Sequence, residues 1–173
     1  MRYSQERLEA EATIREVFFA AMQAGYAGNA VKTSIAELPR SKVIPFTQGD
    51  YSVYDCYFTA EGSLHSSGMT VIWHKGQPVW SMQYQGWYQP EAIPFLKRAL
   101  RANYERGVFL GGRGPARFAE GNLKYHNHMT VGREVFTRFA GQEVISRIGS
   151  DADTIGWHEY QGMLLFSLED EGA

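Results

Sequence analysis

The sequence has a single cysteine, Cys56, no long apolar run and no excess of charge of either sign. One cysteine excludes an internal disulfide framework and suits a reducing compartment. A membrane-spanning helix needs a run of about 20 apolar residues, and no such run is present. The N-terminus also lacks a signal-peptide pattern. We therefore expect a cytoplasmic protein that does not enter a membrane.

The charge balance excludes some classes of partner. The 17 Lys and Arg residues against 19 Asp and Glu residues give a formal net charge of −2. A protein that binds a nucleic acid or an anionic membrane usually needs a basic surface, so we expect neither partner. The length of 173 residues is enough for one domain with its own core. We predict a single domain over residues 1–173.

Aromatic residues are abundant, at 14% of the chain, and many of them lie between Phe46 and Tyr88. Because aromatic side chains favour strands and bury large areas, this segment is expected to form the centre of a sheet. Apolar periodicity predicts helices at 4–24 and 91–105. Pro39 and Pro45 indicate a loop over residues 30–45. Alternation predicts strands at 50–58, 69–74, 78–85, 123–131, 134–139 with 144–147 as continuation or partner, 156–160 and 163–168.

Two stretches of the chain echo each other. Residues 68–86 and 141–162 both begin with Gly-x-x-Val-Ile and end with Tyr-Gln-Gly. Tyr54–Phe58 precedes the first copy roughly as Tyr125–Met129 precedes the second. This internal repeat predicts two pseudo-repeated β-meanders that face each other, each preceded by a helix. The expected fold class is α+β with a mostly antiparallel sheet, and a site is expected between the meanders.

Three motifs, Gly49–Phe58, Val79–Gly86 and Arg113-Gly-Pro115, resemble an uncharacterised bacterial family. That family is a domain of unknown function found alone or C-terminal to helix-turn-helix DNA-binding modules. The resemblance runs from about Phe18 to Gly162. It implies a compact domain that serves as the sensor or effector half of a regulator, and it implies no established chemistry. The chain departs from the regulator form, because the 17 residues before the first helical stripe ends are too few for a helix-turn-helix.

His126 and His128 form the sharpest candidate for a metal site. Residues two apart on a strand project from the same face, so both imidazoles can reach one divalent ion, with Glu134 as a further ligand. The pattern loosely resembles the first metal motif of the cupins, although the gap to Glu134 is longer and no second motif follows. The alternative interpretation is two half-exposed histidines on a polar strand face.

The echo of the two stretches places Asp55 and Tyr57 opposite His126 and His128. If the meanders face each other, these four side chains converge on one polar pocket, where a carboxylate beside an imidazole can transfer protons. The alternative is that Asp55 caps a turn or accepts hydrogen bonds from tyrosines. Cys56 shares its strand face with Tyr54 and Phe58, which we predict to be the core face.

Two further groups are candidates for ligand binding. Residues 106–117 combine four glycines with three arginines, and Arg113 at its centre can bind an anion, although a plain connecting loop is the alternative interpretation. Trp87 and Tyr88 follow Tyr-Gln-Gly at a predicted rim, where aromatic walls stack flat molecules, but core packing is the commoner role of such residues.

Three functions remain open from the sequence. A small-ligand-binding or sensor domain would use Asp55, Tyr57, Trp87, Tyr88 and Arg113. A metal-dependent or acid–base enzyme would use His126, His128 and Glu134. An interaction module would cover its aromatic edge with a partner or form a homodimer. We favour the ligand-binding domain.

Overall fold

The computed structural model describes residues 5–25, 27–28, 30–131, 135–149 and 153–165. Neither of the helices in these ranges is long and apolar enough to cross a membrane. Both predicted helices are present, and most strands extend further than their alternation indicated, but the strand predicted at 134–139 begins only at Arg138 and runs on without a break through 144–147. In chain order the elements are α1 (Gln5–Ala24), β1 (Thr33–Ile35), β2 (Leu38–Gln48), β3 (Tyr51–Phe58), β4 (His65–His74), β5 (Gln77–Tyr88), α2 (Ala92–Tyr104), β6 (Arg117–Glu120), β7 (Leu123–Val131), β8 (Arg138–Arg147) and β9 (Thr154–Leu164).

The nine strands form one antiparallel sheet in the order β1-β2-β3-β4-β5-β9-β8-β7-β6. The prediction of an α+β fold from two meanders that face each other was therefore wrong, and the fold is largely β. The reason lies at the junction of the meanders, where β5 pairs with β9 over nine residues. Pairing satisfies the backbone groups of both strand edges, so the second meander continues the sheet and does not stack on the first.

The two faces of this sheet differ in what covers them. The inner face carries Val53, Ile72 and Trp80, which are at most 1% exposed and belong to the same core cluster as both helices. The outer face carries the alternate side chains, among them Tyr54 and Met69, each 42% exposed. The face assigned to the core from the sequence, with Tyr54, Cys56 and Phe58, is the outer one. Cys56 is nevertheless buried.

Helix α1 closes one end of the core through the apolar stripe that the sequence predicts. Ile14, Val17 and Phe18 are at most 2% exposed. The ring of Phe18 lies 5.1 Å from the ring of Trp80 on β5, a spacing typical of favourable aromatic pairs. Full burial of such a side chain stabilises the fold by about 1.5–3 kcal/mol. The stripe therefore fixes α1 on the inner face.

The segment 30–45 forms strands and not the predicted loop. Pro45 lacks a backbone N–H, which is the reason for that prediction, yet it pairs with Tyr54 inside β2. The neighbouring strand β1 covers β2 only between Leu38 and Val43. A proline beyond the end of a short edge strand removes no ladder hydrogen bond there, so it is tolerated. Of the predicted strand at 163–168, residues 163–164 complete β9 and residues 166–168 lie outside the described residues.

The glycines and tyrosines of the two similar stretches meet at the centre of the sheet. Gly68 pairs with Tyr84, Gly141 pairs with Tyr160, and the two tyrosines pair with each other across the β5–β9 junction. A Cβ atom on Gly68 would lie 2.8 Å from the hydroxyl oxygen of Tyr84. The absence of a side chain at this glycine thus allows the tyrosine ring to lie flat over the neighbouring strand.

Candidate functional site

A cavity of about 370 Å³ lies between the inner face of the sheet and helix α2. Strands β3, β4, β5 and β9 form its floor with polar side chains, whereas α2 contributes Leu96 and Leu100 from its apolar face. We call this space the inner cavity. Its floor includes Asp55, Tyr84, Tyr88 and His158 on these strands, together with Arg113 from the loop between α2 and β6.

Beneath the floor, Glu143 on β8 is completely buried and fully bonded. Its Oε1 accepts hydrogen bonds from Tyr88 and from two guanidinium nitrogens of Arg113, with Nε at 3.0 Å. Its Oε2 accepts a hydrogen bond of 2.5 Å from Tyr125. Burial alone would raise the pKa of Glu143, but the Arg113 charge and these hydrogen bonds hold it below the usual value. Glu143 is therefore ionised.

The glycine-rich loop between α2 and β6 delivers Arg113 to this carboxylate. Gly111 and Gly112 adopt φ values of 64° and 69°, a left-handed backbone that favours glycine. The Asn103 side chain donates a hydrogen bond of 2.7 Å to the Arg113 carbonyl, and the Tyr104 hydroxyl donates one of 3.0 Å to the Gly112 carbonyl. The loop turns inward as a result, so Arg113 is buried and does not lie in solvent.

Asp55 on β3 is the second buried carboxyl of the inner face. Its Oδ1 accepts hydrogen bonds of 2.5 Å from Tyr84 and 3.1 Å from Thr70. Burial raises the pKa of Asp55, and these two hydrogen bonds together with the more distant Arg113 only partly offset the increase. The neutral form of this carboxyl is accordingly easier to reach than that of an exposed aspartate.

Two hydrogen-bonding atoms of floor residues have no partner among the described residues. Within the described ranges no group bonds Nη1 of Arg113 or Oδ2 of Asp55, although both residues line the cavity. Both atoms also retain some solvent-accessible surface. Among the described side chains, only the Nδ1 atom of His158 has neither accessible surface nor a hydrogen-bond partner. The inner cavity thus offers a cationic donor and a carboxyl oxygen. Tyr84 lies between them: its hydroxyl donates a hydrogen bond to Asp55, and its ring centroid is 5.8 Å from the guanidinium carbon of Arg113.

His158 on β9 completes the floor as a neutral base. Its ring centroid lies 4.3 Å from that of Tyr88 and 6.0 Å from that of Tyr84. Its Nε2 lies 3.3 Å from the Ser66 hydroxyl. Burial, reinforced by the Arg113 charge, lowers the pKa of His158 to about 3. The ring is therefore uncharged near neutral pH and can exchange hydrogen bonds without titrating.

A family model matches residues 55–164, which is more than half of the chain and includes every floor residue named above. The chain belongs to this family, described as Domain of unknown function (DUF5680). The description supports the family proposed from the sequence at the level of an uncharacterised domain. Neither a curated protein nor a solved structure matches the chain.

The DUF5680 domain brings some of the predicted ligand-binding residues together and separates others. Asp55, Tyr57, Tyr88 and Arg113 all line the inner cavity. Trp87 lies on the outer face, where it pairs with His65 and Trp157. A strand places successive side chains on opposite faces, so Trp87 and Tyr88 cannot share one wall.

The predicted metal ligands lie away from the inner cavity. His126 and His128 are exposed on the outer face of β7, while their neighbours Tyr125 and Asn127 point inward. They do not converge with Asp55. Glu134 lies outside the described residues. Among the described residues of the DUF5680 domain, no group of three or more His, Cys, Asp or Glu side chains is arranged to hold a metal ion.

A larger groove, of about 650 Å³, lies on the outer face. Its walls include Gln83, Gln85 and Gln161, which are exposed to solvent, and the apolar side chains of Met69 and Phe58. Water competes for the hydrogen bonds of exposed amides, so such a groove holds a small molecule less firmly than a buried floor does. No buried charged group faces it in the part of the chain that the structure describes.

Sequence reasoning missed Tyr84, Glu143 and His158. The sequence did contain a signal for these residues. Along each strand, a charged or polar residue occupies an inward position, and the inward residues two positions away are apolar. On β8 the inner positions read Phe139, Gly141, Glu143 and Ile145, and the carboxylate is the exception. A buried position that breaks an apolar alternation is therefore a better pointer to this site than the exposed histidine pair.

Proposed function

We propose that the protein binds a small organic ligand in the inner cavity and acts as a sensor domain. The observation that carries the proposal is the pair of open atoms, Arg113 Nη1 and Asp55 Oδ2, on the floor of a preformed cavity. Ligand sites typically have volumes of about 300–1,000 Å³, mostly apolar walls and a few convergent polar groups. The inner cavity has all three properties.

The fold itself does not use the open atoms. Polar groups inside a folded protein are nearly always hydrogen-bonded, and an atom that reaches an open cavity can make its bond to water or to a ligand. Glu143 obeys this rule with both oxygens, yet Asp55 uses only one. A ligand that donates to Asp55 and accepts from Arg113 would complete the network. The sensor role is also the one implied by the resemblance to domains that accompany helix-turn-helix modules.

A thermal-shift screen of small organic compounds tests the proposal. A compound present at about 100 times its dissociation constant stabilises the fold by ~2.7 kcal/mol. The discriminating variant is Ile93→Trp, which adds an indole at the half-buried mouth of the inner cavity. Its matched control is Met69→Trp, which adds the same ring to the groove on the outer face.

Compounds that stabilise the wild type should fail to stabilise Ile93→Trp and should still stabilise Met69→Trp. The opposite pattern would move the site to the outer groove. Stabilisation that survives in both variants would contradict binding at either place.

A further inference from the structure

We infer that the ligand is an organic monoanion, most simply a carboxylate on an apolar body, with its charge at the mouth of the inner cavity near Lys32 and Lys97. The inference rests on the binding function proposed above and goes beyond it by naming the chemistry of the ligand and its orientation. Three zones of the cavity, described in turn, support it.

The mouth is basic. Lys32 is exposed, Lys97 is half-buried, and both line the inner cavity. Burial together with the neighbouring charges of Lys32 and Arg101 lowers the pKa of Lys97, so cationic side chains crowd this rim. An anion placed here reduces the repulsion between them, whereas a cation increases it.

The middle of the cavity is apolar. Leu96 and Leu100 on α2 face Met82 on β5, and each of these side chains is 1% exposed. These walls offer no hydrogen bonds, so the part of the ligand that they contact must be hydrocarbon. An inorganic anion or a sugar does not meet this requirement.

The floor of the cavity does not attract the negatively charged end of the ligand. Arg113 is its only cation among the described residues, and the buried Glu143 beneath it already neutralises that cation. Asp55 adds a carboxyl that repels a second carboxylate when it is ionised. The floor is therefore suited to a neutral hydrogen-bonding group, and the ligand enters with its charged end outward.

The test compares by titration calorimetry three probes of equal length that all carry a terminal hydroxyl for the polar floor: 8-hydroxyoctanoate, the neutral 8-hydroxyoctanamide and the cationic 8-hydroxyoctylammonium, called octanoate, octanamide and octylammonium for short. Octanoate should bind most tightly, and its affinity should fall as salt is added. Lys97→Gln should weaken octanoate roughly two- to fivefold, because a partly exposed charge contributes only modestly. It should leave octanamide unchanged. The control is Lys75→Gln, which removes the same charge from the exposed turn between β4 and β5.

Each outcome separates the ligand class from the binding function. Equal or tighter binding of octanamide or octylammonium, blocked by Ile93→Trp, would overturn the anionic class and leave the binding function standing. Octanoate binding that is insensitive to Lys97→Gln and Lys32→Gln would overturn the orientation. If all three probes fail to bind while the thermal screen finds other compounds that bind in the inner cavity, only the anionic ligand class would be overturned. Failure of every compound would overturn both proposals.

Discussion

Glu143 and Asp55 are two buried carboxyls on one face of one sheet, and their environments are opposite. Glu143, in the β6–β9 half, accepts hydrogen bonds at both oxygens and pairs directly with Arg113. Asp55, in the β1–β5 half, accepts hydrogen bonds from a tyrosine and a threonine at one oxygen. The pKa of Glu143 is lowered by its partners, and the pKa of Asp55 is raised by burial.

The difference separates a structural carboxylate from a functional one. The ion pair of Glu143 fixes the loop that carries Arg113, and neither oxygen of the Glu143 carboxylate has bonding capacity left for a ligand. A carboxyl with one open oxygen and a raised pKa beside a cavity keeps bonding capacity for a ligand, which makes it a candidate functional group. Pairs of carboxyls whose pKa values are pushed apart commonly divide roles in this way. Four substitutions test the comparison, taken from the largest expected effect to the smallest.

Replacement of Glu143 by glutamine should be the most damaging. Glu143→Gln leaves Arg113 as a buried charge without a counter-ion, so the free energy of unfolding should fall by about 3–5 kcal/mol. Denaturant titration measures this loss. The control is Glu159→Gln on the neighbouring strand, where the side chain is exposed on the outer face, and it should change stability by less than about 0.5 kcal/mol. Equal effects of the two variants would show that Glu143 is not the anchor of the fold.

His158 should make the wild type sensitive to acid. Its folded pKa of about 3 lies below the ordinary 6.5, so the unfolded chain takes up a proton that the folded chain does not. Stability is then complete above pH 6.5 and declines toward pH 3, by about 1.4 kcal/mol per pH unit. His158→Gln should flatten this slope between pH 6.5 and about 5.

Melting curves over that pH range provide the measurement. His128→Gln, at an exposed position on the outer face, should retain the wild-type slope. A His158→Gln variant that still loses stability at the wild-type rate would show that the ring is protonated in the folded state.

Asp55 should give the opposite pH dependence. Its pKa is raised on folding, so its contribution is complete below the unfolded pKa and is lost as pH rises through the folded pKa. Asp55→Asn keeps an oxygen for Tyr84 and Thr70, so we expect a change of only about 1 kcal/mol at low pH. The stability difference should then shift in favour of the variant as pH rises. The control is Asp50→Asn, in an exposed turn, which should show no such trend. A trend of the opposite sign for Asp55→Asn would mean that the Asp55 carboxyl is stabilised as an ion.

The smallest effect is expected at His126. Its side chain is exposed on the outer face, so His126→Ala should change the free energy of unfolding by less than about 0.5 kcal/mol. It should also leave octanoate binding at the inner cavity unchanged in calorimetry. A loss of binding would show that the two faces of the sheet are coupled.

Local patterns were enough to predict much of the secondary structure. The alternation around Val53 and Asp55 and the hairpin at Lys75 gave strands and a turn in the right places. Strand β2 was missed because a proline such as Pro45 usually argues against a strand. Only the length of the neighbouring strand β1 shows that no ladder hydrogen bond is needed at Pro45. That length depends on pairing between segments, which is not encoded in either segment alone.

The candidate site was harder to predict for the same reason. Sequence similarity between two stretches indicated two related meanders, but it did not specify whether their strands would pair edge to edge or stack. The pairing of β5 with β9 decides this, and it places Tyr84, Tyr160 and His158 side by side on the inner face. Arg113 was singled out from its glycine-rich loop and lines the inner cavity, whereas its partner Glu143 depends on a contact 30 residues away.

Methionine methyl resonances offer the most direct test of binding in the inner cavity. Met22 and Met82 line this cavity, and Met69 lines the groove on the outer face. In spectra of ¹³C-methyl-methionine protein titrated with octanoate, we predict saturable shifts at Met22 and Met82 with Met69 unmoved. Shifts confined to Met69, or no shift at any of the three while another compound stabilises the fold, would contradict binding of such an anion between α2 and the inner face.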